Sequence, residues 1–90
     1  MKTAILKGKD IKNKKDFHKQ IKNILNLPEY YGENLDALWD CLTGGVETPL
    51  TIIWEDFSYS KQTLGVYADK IMTLFKDTEK EIEGFKIESC

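Results

Sequence analysis

The residues of this 90-residue sequence best suited to chemistry are two carboxylates four positions apart, Asp36 and Asp40. If the segment is helical, both side chains lie on one face, one turn from each other, and Trp39 lies at the edge of that face. Glu33 precedes them. Such acids could bind a hard cation through oxygen atoms, act as a general acid and base, bind a basic partner, or simply remain solvated.

The surrounding residues favour protein binding. Tyr30 and Tyr31 precede the acids and Trp39 lies beside them, a combination in which aromatic anchors supply buried area and charges select the partner. A metal site is less favoured because no histidine is near and the dense ligand loop of Ca²⁺ sites is absent. Exposed helical acids also lack the apolar surroundings that separate two pKa values for acid–base catalysis. We therefore expect a binding protein with no catalytic residue, no metal ligand and no cofactor.

The charges are segregated along the chain, although the net charge is only −2. Residues 1–22 carry eight lysines against two acids, whereas residues 23–60 carry seven acids and no lysine. Residues 61–90 carry five lysines against six acids. The chain has no arginine, the residue favoured for recognising phosphate groups, so nucleic acid is not the expected partner. The acidic middle segment predicts a basic protein partner.

The cysteines and the single histidine are predicted to have no chemical role. Cys41 and Cys90 form no C-x-x-C pair and are expected to be free thiols in a reducing compartment, with a redox role as the alternative. His18 lies in the lysine-rich segment next to Phe17, and we expect it at the surface or its boundary. The sequence contains no stretch typical of a signal peptide or a membrane span, which predicts a cytoplasmic protein.

The elements that must position the acidic segment alternate between strand and helix patterns. Thr3–Lys7 is typical of a strand, and Phe85 and Ile87 alternate with charged residues in another. The apolar run Leu50–Trp54, rich in β-branched residues, predicts a central buried strand. Helical patterns lie between them, in the order β-α-α-β-(α)-α-β, where the helix in parentheses is the least marked. Strands separated by helices indicate parallel pairing. The sequence thus predicts one α/β domain over residues 1–90, with a small three-stranded parallel sheet and three to four helices.

Two asparagines are predicted to cap the first two helices. Asn13 precedes a helix that ends before Pro28, and Asn34 precedes the acidic helix, which runs to Gly44-Gly45. A third helical stripe follows later in the chain. The apolar residues assigned to the core faces are Phe17, Ile21, Ile24 and Leu25 in the first helix, Leu35, Leu38 and Leu42 in the second, and Tyr67, Ile71, Leu74 and Phe75 in the third.

The segment LPEYYGENLDALWDCLTG, residues 27–44, resembles the signature segment of the barstar family. Members of that family are intracellular inhibitors of guanine-specific secreted ribonucleases, and they fold as a three-stranded parallel sheet with flanking helices. They block the nuclease active site with the second helix and the loop before it. The resemblance extends more loosely over the whole chain, through His18, Pro49, Trp54, Phe57 and the run Ser60-Lys61-Gln62.

The resemblance implies a role for each matching residue. Asp40 would enter the site where the nuclease holds a substrate phosphate, because a carboxylate offers paired anionic oxygens to cationic side chains. Asp36 would meet neighbouring cationic groups, and Tyr30 would pack on the catalytic histidine. The implied partner is a basic, extracellular, barnase-like ribonuclease, and the free inhibitor is expected to be a monomer. The predicted contact residues are Tyr30, Tyr31, Asn34, Leu35, Asp36, Trp39, Asp40, Thr43, Gly44 and Asp77.

Three positions depart from the family pattern. Asp77 stands where the family usually has Glu, so its shorter carboxylate is expected to contact the partner through water. Gly45 stands where the best-known member has a Trp that flanks the interface. Thr48 precedes Pro49, and we expect this peptide bond to be cis, as the corresponding bond is in that member. Asp77 and Gly45 keep open an alternative, in which the same acidic face neutralises a different nuclease toxin.

Overall fold

The computed structural model describes residues 2–90, a range that contains three strands and four α-helices. Their order confirms the predicted one, and the least marked helix is present. None of the helices within the described range is long and apolar enough to cross a bilayer. The strands are β1 (Lys2–Lys7), β2 (Leu50–Glu55) and β3 (Phe85–Ser89), and the helices are α1 (Lys14–Leu25), α2 (Leu35–Thr43), α3 (Phe57–Leu64) and α4 (Val66–Glu81).

The three strands form one parallel sheet with β2 in the centre, which confirms the predicted sheet. Lys2 aligns with Leu50 and Lys7 with Glu55 in the first pair, and Leu50 aligns with Phe85 in the second. Parallel neighbours cannot be joined by a tight hairpin, so each connection must cross over the sheet. The first crossover contains α1 and α2, and the second contains α3 and α4.

The core is built on Trp54 of the central strand, whose side chain is fully buried. Its ring lies 6.0 Å from that of Phe17 and 6.1 Å from that of Phe75, so α1 and α4 both pack on this strand. Its indole N–H donates a hydrogen bond to the hydroxyl of the buried Ser60 at 3.1 Å. Such aromatic contacts dominate the packing energy of a small core.

The two predicted N-caps are confirmed, and they have matching geometry. The Asn13 side chain accepts a hydrogen bond from the backbone N–H of Asp16 at 2.8 Å, and that of Asn34 accepts one from Ala37 at 2.8 Å. Each asparagine thereby satisfies a backbone donor that the first turn of a helix leaves free.

The first helix ends earlier than Pro28 alone would require. It stops at Leu25, and Asn26 adopts the left-handed conformation with φ of 54°. The next N–H, of Leu27, donates to the carbonyl of Lys22 at 2.9 Å, which closes the helix end.

The connection from α2 to β2 contains two of the positions that depart from the family pattern. Gly45 has a φ of +151°, a conformation that L side chains rarely adopt, and a Cβ added there would meet nothing within 4 Å. The Thr48–Pro49 peptide bond is cis, which confirms the prediction. The carbonyl of Pro49 then accepts a hydrogen bond from Lys2 at 3.1 Å, which places this connection beside the start of β1.

Candidate protein-binding site

Helix α2 separates apolar and acidic residues on two faces, as the sequence predicts. Leu38 and Leu42 are fully buried and Leu35 is half-buried against the core. Asp36 and Asp40 are exposed. Burial of the leucines fixes the rotation of the helix, because turning it would bring apolar side chains into water. The two carboxylates are thus held toward solvent by the packing of the opposite face.

The residues around Asp40 form the C-terminal end of this acidic surface. Trp39 and Thr43 are half-buried, and the Thr43 hydroxyl donates to the carbonyl of Trp39 at 2.7 Å. Gly44 is exposed, and its N–H donates to the carbonyl of Asp40 at 2.8 Å. A Cβ at Gly44 would lie 2.6 Å from that same carbonyl oxygen. The end of α2 therefore has no room for a side chain at this position.

The loop before α2, residues 26–34, presents one tyrosine to solvent and the next to the core. The N–H of Tyr31 donates to the carbonyl of Pro28 at 2.9 Å, which closes a four-residue turn. Tyr30, inside this turn, is 87% exposed, whereas Tyr31 is 6% exposed. Tyr30 is therefore available to a partner. Tyr31, which the sequence placed in the contact set, has its side chain in the core.

His18 departs from its predicted place at the surface or its boundary, since it is only 2% exposed. Its Nδ1 is hydrogen-bonded to the Tyr31 hydroxyl at 2.6 Å and its Nε2 to the Tyr67 hydroxyl at 2.7 Å. Lys14 lies over the ring of Tyr67, 4.5 Å from its centroid. The phenol groups explain the difference, because they satisfy both ring nitrogens that water would otherwise have to satisfy.

Burial sets the protonation of this cluster. Desolvation lowers the pKa of His18 below its ordinary value of 6.5, and the carboxylate of Glu33 raises it by less. Burial raises the pKa of Tyr31, with smaller contributions from Cys41, Tyr67 and Glu33, and burial also raises that of Tyr67. The cluster is therefore neutral at pH 7, with one imidazole nitrogen donating a hydrogen bond and the other accepting one.

The acids of the candidate site are not neutralised from within the chain. Within residues 2–90, neither Glu33, Asp36 nor Asp40 lies within ion-pair distance of a cationic side chain. Their charge is therefore available to an external partner. The ion pairs of this part of the chain are Lys22–Glu29, Lys61–Asp69 and Lys76–Glu79.

Asp77 is exposed on α4, a helix that packs against α2. Its neighbour Thr78 is fully buried, which orients this part of α4, and the Thr78 hydroxyl donates to the carbonyl of Leu74 at 2.8 Å within the helix. No hydrogen bond in the described part of the chain joins Asp77 to the residues of α2. The structure thus places Asp77 on a helix next to the acidic one and leaves its carboxylate free.

A pocket of about 450 Å³ lies beside Asp40. Tyr30 and the exposed Gly44 and Gly45 also line it, so it adjoins both the loop and the end of α2. It contains no metal-binding cluster: nowhere in residues 2–90 do three or more His, Cys, Asp or Glu side chains come together in a way that could hold a metal ion. The pocket thus joins the acidic end of α2 to the loop that carries Tyr30.

Comparison with known proteins identifies the family. Residues 1–89 match the family model described as Barstar (barnase inhibitor). This chain belongs to the barstar family. It is also 43% identical over 88 residues to a protein of Bacillus subtilis (strain 168) named "Putative ribonuclease inhibitor YrdF", and the alignment covers 97% of each chain. Membership in a family of inhibitors confirms that this protein is an inhibitor and not an enzyme.

Within this barstar-family chain, the sequence located the exposed residues of the site better than the buried ones that support them. The exposure of Asp36 and Asp40 follows from the helical periodicity of α2. The hydrogen bond between His18 and Tyr67 joins residues 49 positions apart, a link that no local pattern contains. The spacing predicts Tyr67 in the core stripe of its helix, and the signal for the hydrogen bond is its hydroxyl, which must find a partner when it is buried.

Proposed function

We propose that this barstar-family protein inhibits a basic, secreted, barnase-like ribonuclease by covering the nuclease active site with α2 and the loop before it. The observation that carries the proposal is the exposed pair Asp36 and Asp40, which has no counter-ion within residues 2–90. The exposed Tyr30 lines the same pocket as Asp40. The family description and the printed name of the Bacillus relative support a ribonuclease as the partner.

The chemistry of the proposed contact is the imitation of a phosphate. A ribonuclease active site gathers cationic groups around the phosphate of its substrate, and a carboxylate offers these groups two anionic oxygens in a similar geometry. Asp40 would occupy the centre of that site and Asp36 its edge. Because both side chains are exposed and have no ion-pair partner among residues 2–90, binding breaks no ion pair of theirs within that range.

Charge over a longer range also favours this partner. Residues 23–60 carry seven acids and no lysine, and this segment contains the whole loop and α2. A field of one sign over a surface accelerates the approach of an oppositely charged partner. The segment therefore suits rapid capture of a basic enzyme.

The proposed contact set differs from the predicted one at Tyr31, because that side chain is buried and supports the loop from behind. Asp77 would make a peripheral contact from α4. The proposed contact residues are Tyr30, Asn34, Leu35, Asp36, Trp39, Asp40, Thr43, Gly44 and Asp77.

Titration of a barnase-like ribonuclease with the purified protein tests the proposal. We expect loss of nuclease activity at a ratio of one to one. Asp40→Asn should lose roughly 2–5 kcal/mol of binding free energy, mostly through faster dissociation, because the cations of the nuclease remain buried without their partner. The matched control is Asp10→Asn, an exposed aspartate that follows the far end of β1. Absence of inhibition at micromolar concentration, or equal loss in both variants, would overturn the proposal.

A different nuclease toxin is the second candidate partner, and Gly45 favours it. Its open surroundings and φ of +151° leave the position without a side chain where a Trp would project in the best-known family member. A partner with a bulkier rim could then approach the end of α2. Inhibition of another nuclease by the wild-type protein, with barnase-like enzymes unaffected, would select this candidate.

The proposed setting is the cytoplasm, where the inhibitor would protect the cell that makes the nuclease. The free thiols of Cys41 and Cys90 support a reducing compartment. We further propose that the free protein is a monomer, which sedimentation of the purified chain would test.

A further inference from the structure

The buried His18 joins three separate parts of the chain. The imidazole belongs to α1, and its two ring nitrogens are hydrogen-bonded to Tyr31 in the loop at 2.6 Å and to Tyr67 in α4 at 2.7 Å. The partners are 13 and 49 positions away in sequence. The contacts therefore do not stabilise α1 itself; they fix the loop against α1 and α4.

All hydrogen-bonding groups of this cluster are paired. In the described range, no buried side-chain nitrogen or oxygen lacks a hydrogen-bond partner. A neutral imidazole has one donor and one acceptor, so each of the two hydroxyls is needed. Removal of either hydroxyl leaves a buried ring nitrogen without a partner, which is costly.

The loop has few other constraints near Tyr30. One backbone hydrogen bond, from Tyr31 to Pro28, closes the turn. The ion pair of Glu29 with Lys22, at 3.4 Å, involves a Glu29 side chain that is 99% exposed, and such pairs contribute little. Tyr31 is therefore the principal buried anchor of the turn, and Tyr30 is its immediate neighbour.

Tyr67 is itself held in place on α4. Lys14 of α1 lies over its ring, and α4 packs against α2. A hydroxyl fixed in this way determines where the imidazole lies, and the imidazole determines where the Tyr31 ring lies. The order of contacts thus runs from α4 through α1 to the loop that carries Tyr30.

We propose that His18 and Tyr67 are positioning residues for ribonuclease binding: they hold Tyr31, and through it the exposed Tyr30, at the place from which the loop contacts the nuclease. This inference rests on the proposed function for its role in binding. The positioning of the loop is a property of the free protein, so it can be tested separately from nuclease binding.

Amide hydrogen exchange of the free protein tests whether His18 and Tyr67 hold the loop in place. In Tyr67→Phe, the N–H of Tyr31 should exchange roughly tenfold faster, because the loss of one buried hydrogen bond favours local opening of the loop. The N–H of Leu50, which donates to the carbonyl of Gly84 just before β3 at 2.9 Å, should accelerate less, because it is released only by opening of the sheet. The matched control is Tyr59→Phe, whose ring is 39% exposed and whose hydroxyl forms no hydrogen bond within residues 2–90. An unchanged Tyr31 rate in Tyr67→Phe would overturn the proposal.

A double-mutant cycle with a barnase-like ribonuclease tests the role in binding. Tyr67→Phe should raise the inhibition constant roughly threefold to tenfold, since part of the population no longer has the loop in place. In a Tyr30→Ala background the same change should have less than about a twofold effect, because the residue being positioned is gone. Equal effects in the two backgrounds would overturn the positioning role, since a general loss of stability would be additive.

A different set of results would refute the proposed function itself. If Asp40→Asn and Tyr30→Ala both retained full inhibition, α2 and the loop would not be the binding surface, whatever the exchange rates showed. If those variants lost inhibition and Tyr67→Phe changed neither the exchange of Tyr31 nor the inhibition constant, the positioning role alone would be refuted.

Discussion

The matched N-caps Asn13 and Asn34 allow the stability of the fold to be separated from the integrity of the binding helix. Both side chains accept a hydrogen bond from a backbone N–H three residues on, at 2.8 Å. Replacing either by Ala leaves that N–H unpaired and should cost about 1 kcal/mol of unfolding free energy. Asn34 also donates to the carbonyl of Gly32 at 3.2 Å, so Asn34→Ala should lose slightly more unfolding free energy than Asn13→Ala.

Urea denaturation followed by tryptophan fluorescence measures the first effect. For a protein of this size, about 1 kcal/mol corresponds to a fall in the urea midpoint of roughly 0.5–1 M at an unchanged slope. We expect this fall in both Asn13→Ala and Asn34→Ala. Ribonuclease inhibition measured at 25 °C, where both variants remain folded, should decline only in Asn34→Ala, because only Asn34 orders the start of α2 and the backbone of the loop and also belongs to the proposed contact set.

Two results would refute the reasoning. If Asn13→Ala weakened inhibition as much as Asn34→Ala, the loss would come from stability in general and not from the geometry of α2. If Asn34→Ala left the urea midpoint unchanged, the hydrogen bond to Ala37 would not stabilise the helix.

Three further outcomes follow from the structure. Because the pKa of His18 is lowered in the folded state, the unfolded chain binds the proton more readily. The contribution of the neutral His18 to the free energy of unfolding is therefore complete above pH 6.5 and is lost as pH falls through the folded pKa. The free energy of unfolding should therefore fall more steeply in acid for the wild type than for His18→Gln, and parallel curves would contradict this. Ser60→Ala should lower stability by roughly 1–3 kcal/mol, because it leaves the buried indole N–H of Trp54 unpaired, while inhibition stays unchanged; an unaltered urea midpoint would show that water replaces the hydroxyl. Raising the salt concentration should slow association with the nuclease more than it changes dissociation, and stopped-flow rates that are independent of salt would exclude electrostatic steering.

Much of the architecture could be predicted from the sequence because it depends on neighbouring residues. The caps at Asn13 and Asn34 and the apolar run Leu50–Trp54 are local signals, and each was confirmed within one or two residues. The two faces of α2 follow from helical periodicity, since the spacing of its leucines and aspartates leaves few ways to orient the helix. The signature segment then added the function that periodicity could not supply.

The remaining features were decided by tertiary structure, because they depend on residues that meet only after folding. The sequence indicated parallel strands with Leu50–Trp54 as the central one, and the sheet order confirms this, but the register of the three strands is a property of the assembled sheet. Tyr30 and Tyr31 are the same residue type at adjacent positions, and no local rule decides which one turns inward. The fold decides it by placing His18 beneath the loop and Tyr67 behind His18, so that one tyrosine has a buried hydrogen-bond partner and the other is left to the solvent.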